Sequence, residues 1–321
     1  MKVLITPSLF GQYSRAITIL EEAGLKPVFP PYQHPLTEEQ LMEIIPEFSG
    51  FIVGLDPVTE RVLERALHLR VVAKHGVGVD NIDVPAATRR GVMVANAPGS
   101  NDQAVAEFTW GLILALARSF PVAFNMIQKR QWGRVIGIEL FGKTLGILGT
   151  GRIGKKVARF GVCFGMRVLA YDEMQNLEFA QQFGITYTSL EVVLQESDFL
   201  TIHLPLTDKT RGLLGIRELA LMKENACLVN TARGGIVDEE ALFTTLKEGK
   251  IKGAALDVYA VEPPWGNPLC SLPNVICTPH TASDSVEALC RMDEISAENV
   301  IRVLQGKKPL FSVNANSMEG G

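Results

Sequence analysis

The sequence predicts an α/β protein made of two parallel sheets, each wound by helices on both faces. Three observations carry this reading. Short apolar runs alternate with helix-patterned segments along the chain. Five such runs precede residue 100 and form a complete unit. A glycine-rich turn at Gly149 then opens a second unit rather than the first. A length of 321 residues suits two domains, and an apolar content of 47% is ample for their cores.

The pattern predicts strands over 2–6, 26–29, 50–53, 71–74 and 92–95, with helices between them, among them 38–45 and 59–66. A long apolar helix over 101–118, stopped by Pro121, carries the chain into the second unit. There the strand 145–148 meets the glycine turn, a helix follows, and the strand 167–171 ends on Asp172. Further strands fall near 185–187, 199–202, 227–230, 254–258 and 275–277. A helix over 283–304, punctuated by Gly306 and Pro309, returns the chain to the first unit. The expected domains are 1–98 with 286–321, and 99–285, the split of the first resting in part on the family resemblance given below. The polar tail 314–321 is expected to fray.

The order strand, glycine turn, helix, strand, acid is what a dinucleotide requires. Gly149 permits a tight turn, Gly151 lets the backbone approach a pyrophosphate, and Gly154 lets helix and strand pack closely. The helix start offers free N–H groups and the positive end of a dipole. Asp172, 18 residues after Gly154, is placed to accept from ribose hydroxyls. Asp172 and Glu173 would repel a 2′-phosphate and no Arg follows them directly, so the cofactor reads as NAD rather than NADP.

Other partners are not indicated. A net charge of −4 gives no electrostatic case for nucleic acid or an anionic membrane. No apolar run reaches membrane-spanning length, and the first residues lack the long apolar region of a signal peptide. Five cysteines without CxxC spacing read as reduced thiols in a cytoplasmic protein. The five scattered histidines make no metal site.

Three side chains stand just past the ends of later strands: Arg233, Glu262 and His280. The carboxyl edge of a parallel sheet is where ligands bind. Arg supplies a forked clamp for a carboxylate, and His exchanges protons near neutral pH. A Glu beside the His orients and charges the imidazole. Together they supply what hydride transfer to a 2-oxo acid requires.

With these residues in place, the chain resembles the D-isomer-specific 2-hydroxyacid dehydrogenases, in their D-3-phosphoglycerate and hydroxypyruvate/glyoxylate branch. The resemblance runs from about 51 to 303 and rests on KHGVGVDNID, NAPGSNDQAVAE, GKTLGILGTGRIG, HLPLTDKTRGLL, NTARGGIVDEEAL, ALDVYAVEPP and TPH. It implies two doubly wound domains with a cleft between them: a flavodoxin-like substrate domain, split in sequence, and a Rossmann NAD-binding domain. It implies Arg233, Glu262 and His280 as the catalytic set. The substrate, a small 2-oxo or 2-hydroxy acid, would meet Lys74, Val77, Gly78 and Asn101, with backbone N–H groups of the loop 74–79 on its carboxylate. Arg152, Ile153, His203, Pro205 and Thr210 would line the cofactor, with Thr231, Ala232, Asp257, His280 and Ala282 nearer the nicotinamide. A homodimer through the NAD-binding domain is implied, with the segment 121–140 reaching across.

Some positions depart from the family pattern. Ala282 stands where Gly is frequent, and the stretch after the third strand, Val53-Gly54-Leu55-Asp56, lacks the Arg that often binds a phosphate. Lys74 and Arg134 are the bases left for that task. A small 2-oxo acid is therefore expected ahead of a phosphorylated one. D-3-phosphoglycerate dehydrogenase without a regulatory domain, and hence without feedback by serine, is the alternative within the branch. A non-enzymatic NAD-sensing protein resembling the transcriptional corepressors is the alternative of another class. Formate dehydrogenase, which shares the fold, typically has Gln where Glu262 stands.

Overall fold

The computed structural model describes residues 1–315, which divide into two compact units, 1–101 with 284–315 and 102–283.

The first unit alternates β1 (Lys2–Ile5), α1 (Ala16–Glu22), β2 (Lys26–Val28), α2 (Glu38–Ile44), β3 (Gly50–Val53), α3 (Glu60–Arg65), β4 (Val71–Lys74), α4 (Val84–Arg89) and β5 (Met93–Ala95). Its strands pair in parallel in the order β2-β1-β3-β4-β5. Both faces are covered, so the strands are apolar on both sides and their side chains divide by period two. Leu4, Phe51, Val53 and Val72 enter one cluster, while Val3, Ile5, Ile52, Val71 and Ala73 enter the other.

The second unit runs α5 (Asp102–Arg118), α6 (Phe120–Gln128), β6 (Thr144–Leu148), α7 (Arg152–Cys163), β7 (Arg167–Tyr171), α8 (Leu177–Phe183), β8 (Thr186–Tyr187), α9 (Leu190–Glu196), β9 (Phe199–Ile202), α10 (Ile216–Leu219), β10 (Cys227–Asn230), α11 (Glu239–Lys247), β11 (Gly253–Leu256) and β12 (Val275–Cys277). Its seven parallel strands take the order β12-β11-β10-β9-β6-β7-β8. The chain winds one way from β6 to β8, then resumes at β9 on the other side. The switch point thus lies between β6 and β9. The pairing register is even: Leu148 pairs with Tyr171 and Ile202, Asn230 with Ile202 and Leu256, and Leu256 with Cys277. Each strand therefore ends at the same height, and Gly149, Asp172, His203, Thr231, Asp257 and Thr278 follow in one row.

The helix α12 (Val286–Leu304) belongs to the first unit. Ser285 caps it by accepting from Ala288 N at 3.2 Å, and Ala297, Val300, Ile301, Val303 and Leu304 cover one face of the five-stranded sheet.

Two expectations are corrected. The helix 101–118 does end at Arg118, but Pro121 does not stop it. Ser119 turns the chain with φ 51°, and Pro121 sits in the first turn of α6, where its missing N–H costs nothing. No single helix among the described residues is long and apolar enough to cross a membrane; α5 and α6 pass that test only when joined across their 68° bend. The tail is not frayed at its start. Asn314 is buried: its Oδ1 accepts from Val94 N at 2.8 Å, and its Nδ2 donates to Val92 O and Thr88 Oγ1, each at 3.0 Å. The rest of that expectation, 316–321, lies outside the described residues.

Candidate active site

The glycine turn follows β6 at the switch point. Gly149 has φ +93°, and a Cβ there would come 2.7 Å from His203 O, so the turn is pressed against the end of β9. A Cβ on Gly154 would lie 2.0 Å from Gly149 O, because α7 packs directly on the turn. Gly151 differs: a Cβ would meet no protein atom within 4 Å. Protein packing therefore does not require glycine at 151, whereas a phosphate held close to the backbone does. No side chain caps α7, so its first-turn N–H groups stay open for an anion. These residues fit a dinucleotide. Arg152 stands exposed at the helix start, while Ile153 packs partly against the core.

Asp172 is fixed in place. Its Oδ2 accepts from Thr150 N at 2.6 Å and Thr150 Oγ1 at 2.9 Å, and its Oδ1 accepts from Met174 N at 2.8 Å. Tyr187 OH meets Thr150 Oγ1 at 2.8 Å and supports the arrangement from β8. Thr150 and Tyr187 were not legible as site residues, because their role depends on a pairing across three strands.

His203 Nε2 lies 2.9 Å from Thr201 Oγ1, and burial pushes the imidazolium pKa down to about 3. The side chain is thus neutral at ordinary pH, in keeping with a lining rather than an acid–base role. Thr210 Oγ1 donates to Pro205 O at 2.6 Å and accepts from Thr207 N at 2.8 Å, which ties the loop after β9.

After β10, Thr231 Oγ1 meets Thr109 Oγ1 of α5 at 2.8 Å. Asn230 clasps the turn: its Oδ1 accepts from Ala232 N at 3.0 Å and its Nδ2 donates to Arg233 O at 2.9 Å. Arg233 Nη1 donates to Ala232 O at 2.7 Å. The clasp holds the Arg backbone rigidly just beyond the strand.

His280 and Glu262 come together. His280 Nδ1 lies 2.7 Å from Glu262 Oε2, while Glu262 Oε1 accepts from Tyr259 N at 3.0 Å. Their side chains keep 28% and 27% exposure, enough for a substrate to reach the ring. Burial pulls the Glu262 carboxyl upward. The His280 hydrogen bond and charge, the Tyr259 N–H and the Arg233 charge outweigh it and hold the group below its usual range. Glu262 is therefore a carboxylate at neutral pH.

His280 has φ +54°, a left-handed conformation that costs a non-glycine residue of order 1–3 kcal/mol. Asp257 holds it there. This carboxylate has no exposure and accepts from Thr278 Oγ1 at 2.6 Å, Thr281 N at 3.0 Å and Ala282 N at 2.9 Å. Tyr259 OH donates to Thr278 O at 2.9 Å from the other side. Asp257, expected near the nicotinamide, thus also has acceptors that serve the His280 loop. Ala282 is likewise buried, with its N–H on Asp257.

In the first unit, Gly76 O accepts from Ala97 N and Val77 O from Asn96 Nδ2, each at 2.8 Å. Among the described residues, the N–H groups of Val77 and Gly78 have no protein acceptor. Lys74 is buried, and its Nζ donates to Gly54 O at 2.5 Å and Asn81 Oδ1 at 2.9 Å, which braces the loop after β3. In that loop Asp56 is also buried and accepts from Leu36 N at 2.7 Å. Asn101 Oδ1 is a buried acceptor with no hydrogen-bond donor among the described residues.

A switch-point glycine turn, an acid at the end of the next strand and an uncapped helix start define the class of dinucleotide-binding α/β proteins. The model described as "D-isomer specific 2-hydroxyacid dehydrogenase, NAD binding domain" matches residues 110–282, and the chain belongs to that family. It is 45% identical over 311 residues to D-3-phosphoglycerate dehydrogenase of Methanocaldococcus jannaschii, covering 96% of this chain but only 58% of that protein's length. It is 44% identical to glyoxylate reductase of Aeropyrum pernix, covering 98% of this chain and 96% of the relative. Among solved structures, D-lactate dehydrogenase of Aquifex aeolicus, complexed with NAD and lactic acid, superposes with a TM-score of 0.84 at 30% identity, covering 95% of this chain and 96% of that one.

Proposed function

We propose that the chain is an NAD-dependent D-2-hydroxyacid dehydrogenase, a reductase of small 2-oxo acids such as hydroxypyruvate or glyoxylate. The observation that carries this reading is the 2.7 Å pair of His280 and Glu262 at the carboxyl edge of the dinucleotide-binding sheet. Glu262 accepts from Nδ1, which leaves Nε2 to work on the substrate oxygen. In reduction His280 gives a proton to that oxygen as C2 is reduced; in oxidation it removes one. Glu262 stays ionised and balances the imidazolium. Arg233 binds the substrate carboxylate through its planar fork and polarises the 2-oxo group. Bound NADH supplies the hydride. Asp172 selects it over NADPH by accepting from the ribose hydroxyls. In the first unit, the open N–H groups of Val77 and Gly78 form an anion-binding element for the same class of substrate.

Oxidation of D-3-phosphoglycerate is the second reading, supported by the similarity to the Methanocaldococcus enzyme. The loop after β3 speaks against it: it presents exposed Leu55 and buried Asp56, with no base for a phosphate.

We also propose a homodimer in the cytoplasm. No residue of α6 is buried, and Phe124, Ile127, Trp132, Ile136 and Phe141 are 64, 61, 93, 87 and 77% exposed. An apolar strip of this kind calls for cover, and a second copy supplies it. The five cysteines are unpaired, which suits a reducing compartment.

The test is NADH oxidation with glyoxylate, hydroxypyruvate, pyruvate and 3-phosphohydroxypyruvate. The reading expects kcat/KM for glyoxylate or hydroxypyruvate to exceed that for the phosphorylated acid by tenfold or more, roughly the effect of one missing charge-assisted contact. Preference for the phosphorylated acid would establish the second reading. NADH binding without any turnover would leave an NAD-sensing protein.

A further inference from the structure

One buried ionisable pair in the first unit has no part in the chemistry above. His75, the residue after β4, places Nε2 2.7 Å from Asp293 Oδ1 of α12, with side-chain exposures of 8% and 0%. The other carboxylate oxygen, Oδ2, accepts from Gly11 N at 2.8 Å and Ser14 Oγ at 2.7 Å. Phe10, itself buried, sets its ring edge-on to the imidazole with centroids 6.0 Å apart. One carboxylate thus joins three segments: the loop after β1, the loop after β4 and α12. The same face of α12 continues the row. Ser296 Oγ donates to Lys74 O at 3.3 Å, and Asn299 Nδ2 donates to Asn96 O at 3.0 Å; both side chains are fully buried.

The position of this pair gives it a purpose. His75 immediately precedes Gly76, Val77 and Gly78, a stretch in which the N–H groups of Val77 and Gly78 are open. Two of those residues are glycines, and Val77 is exposed. Within 75–78, His75 is therefore the one side chain anchored in the interior. Stability alone does not account for an ionisable pair here, because apolar residues of similar volume commonly fill such a site as well or better. A hydrogen-bonded ring fixes direction, which a packed hydrocarbon does not.

We propose that His75 and Asp293 are positioning residues that hold the loop 76–78 so that the N–H groups of Val77 and Gly78 face an anion such as the carboxylate of a 2-oxo acid. This rests on the dehydrogenase reading for its effect on turnover, but the effect on the loop does not depend on that reading. The test compares His75→Leu with His75→Gln, whose amide keeps a donor facing Asp293. Three quantities are read: steady-state kinetics with the preferred 2-oxo acid, NADH binding by fluorescence, and amide hydrogen exchange across 75–79.

For His75→Leu, KM should rise about tenfold or more, the loss expected of a hydrogen bond to a charged group. The value of kcat and the NADH Kd should stay within about threefold, a margin below one such bond. Exchange at 76–78 should quicken while that of the sheet strands does not. His75→Gln should restore most of both effects. Unchanged KM and unchanged exchange in His75→Leu would overturn the proposal. So would equal losses in the two variants accompanied by faster exchange throughout the unit, which would make the pair merely structural. If the wild type reduces no 2-oxo acid, the dehydrogenase reading fails, and the exchange comparison alone decides whether the pair holds the loop.

Discussion

His280 occupies a backbone conformation that a non-glycine residue avoids, and the loop around it is built to keep it there. Asp257 receives donors from positions two before, one after and two after the histidine, so the ring's direction is set before any substrate arrives. His280→Ala is expected to lower kcat by about a hundredfold or more, the usual contribution of a positioned acid–base group, with NADH Kd unchanged. Turnover within a few-fold of wild type would remove His280 from the chemistry. A second prediction concerns pH. Because the folded pKa of Glu262 lies below its ordinary 4.5, its charge adds stability that is fully present above that value and is lost as pH falls through the lowered one. The Tm gap between wild type and Glu262→Gln should therefore be open at pH 7 and close progressively below about pH 4.5; calorimetry at both ends checks it, and a constant gap contradicts it. The placement of the candidate site residues was legible because Arg233, Glu262 and His280 each follow a strand of one sheet. The part Asp257 plays in holding the His280 loop was not legible, because proximity in sequence says nothing of where a carboxylate's acceptors point once a loop has folded. The His75–Asp293 pair was invisible for a simpler reason: its members are 218 positions apart.

Among the elements, the turn between β6 and α7 separates two reasons for glycine. Gly154 is required by packing, Gly151 by the ligand. Gly154→Ala puts a methyl group against Gly149 O and should lower Tm by several degrees, as overpacking does, and weaken NADH binding with it. Gly151→Ala has open space before it and should leave Tm nearly unchanged while weakening NADH binding by tenfold or more, the scale of one lost charge-assisted contact. A Gly151→Ala variant that binds NADH normally would contradict the phosphate role. The strands here were readable almost to the residue, since buried parallel strands are short apolar runs with few competing patterns. The break between α5 and α6 was not, because it turns on the left-handed conformation of Ser119, a residue with no sequence signature for it.

At the scale of the whole molecule, the sequence order implied that the dinucleotide-binding unit comes second, since the glycine turn follows five strands, whereas the split of the first unit rested partly on the family resemblance. The return of α12 to the first sheet and its 0% exposed polar row, Asp293, Ser296 and Asn299, tie that helix to the ends of β4 and β5. The exposed apolar strip from Phe124 to Phe141 makes a prediction of its own. Sedimentation velocity should give a dimer, and replacing Trp132 and Ile127 by charged residues should shift it to monomer; a wild-type monomer at micromolar concentration would contradict the interface. The central claim, that His280, Glu262 and Arg233 direct hydride to C2 of a small 2-oxo acid, is tested most directly with NADH carrying deuterium at the transferred position. Incubated with hydroxypyruvate, the enzyme is expected to yield D-glycerate labelled at C2. Unlabelled glycerate, the L-isomer, or no product would contradict it.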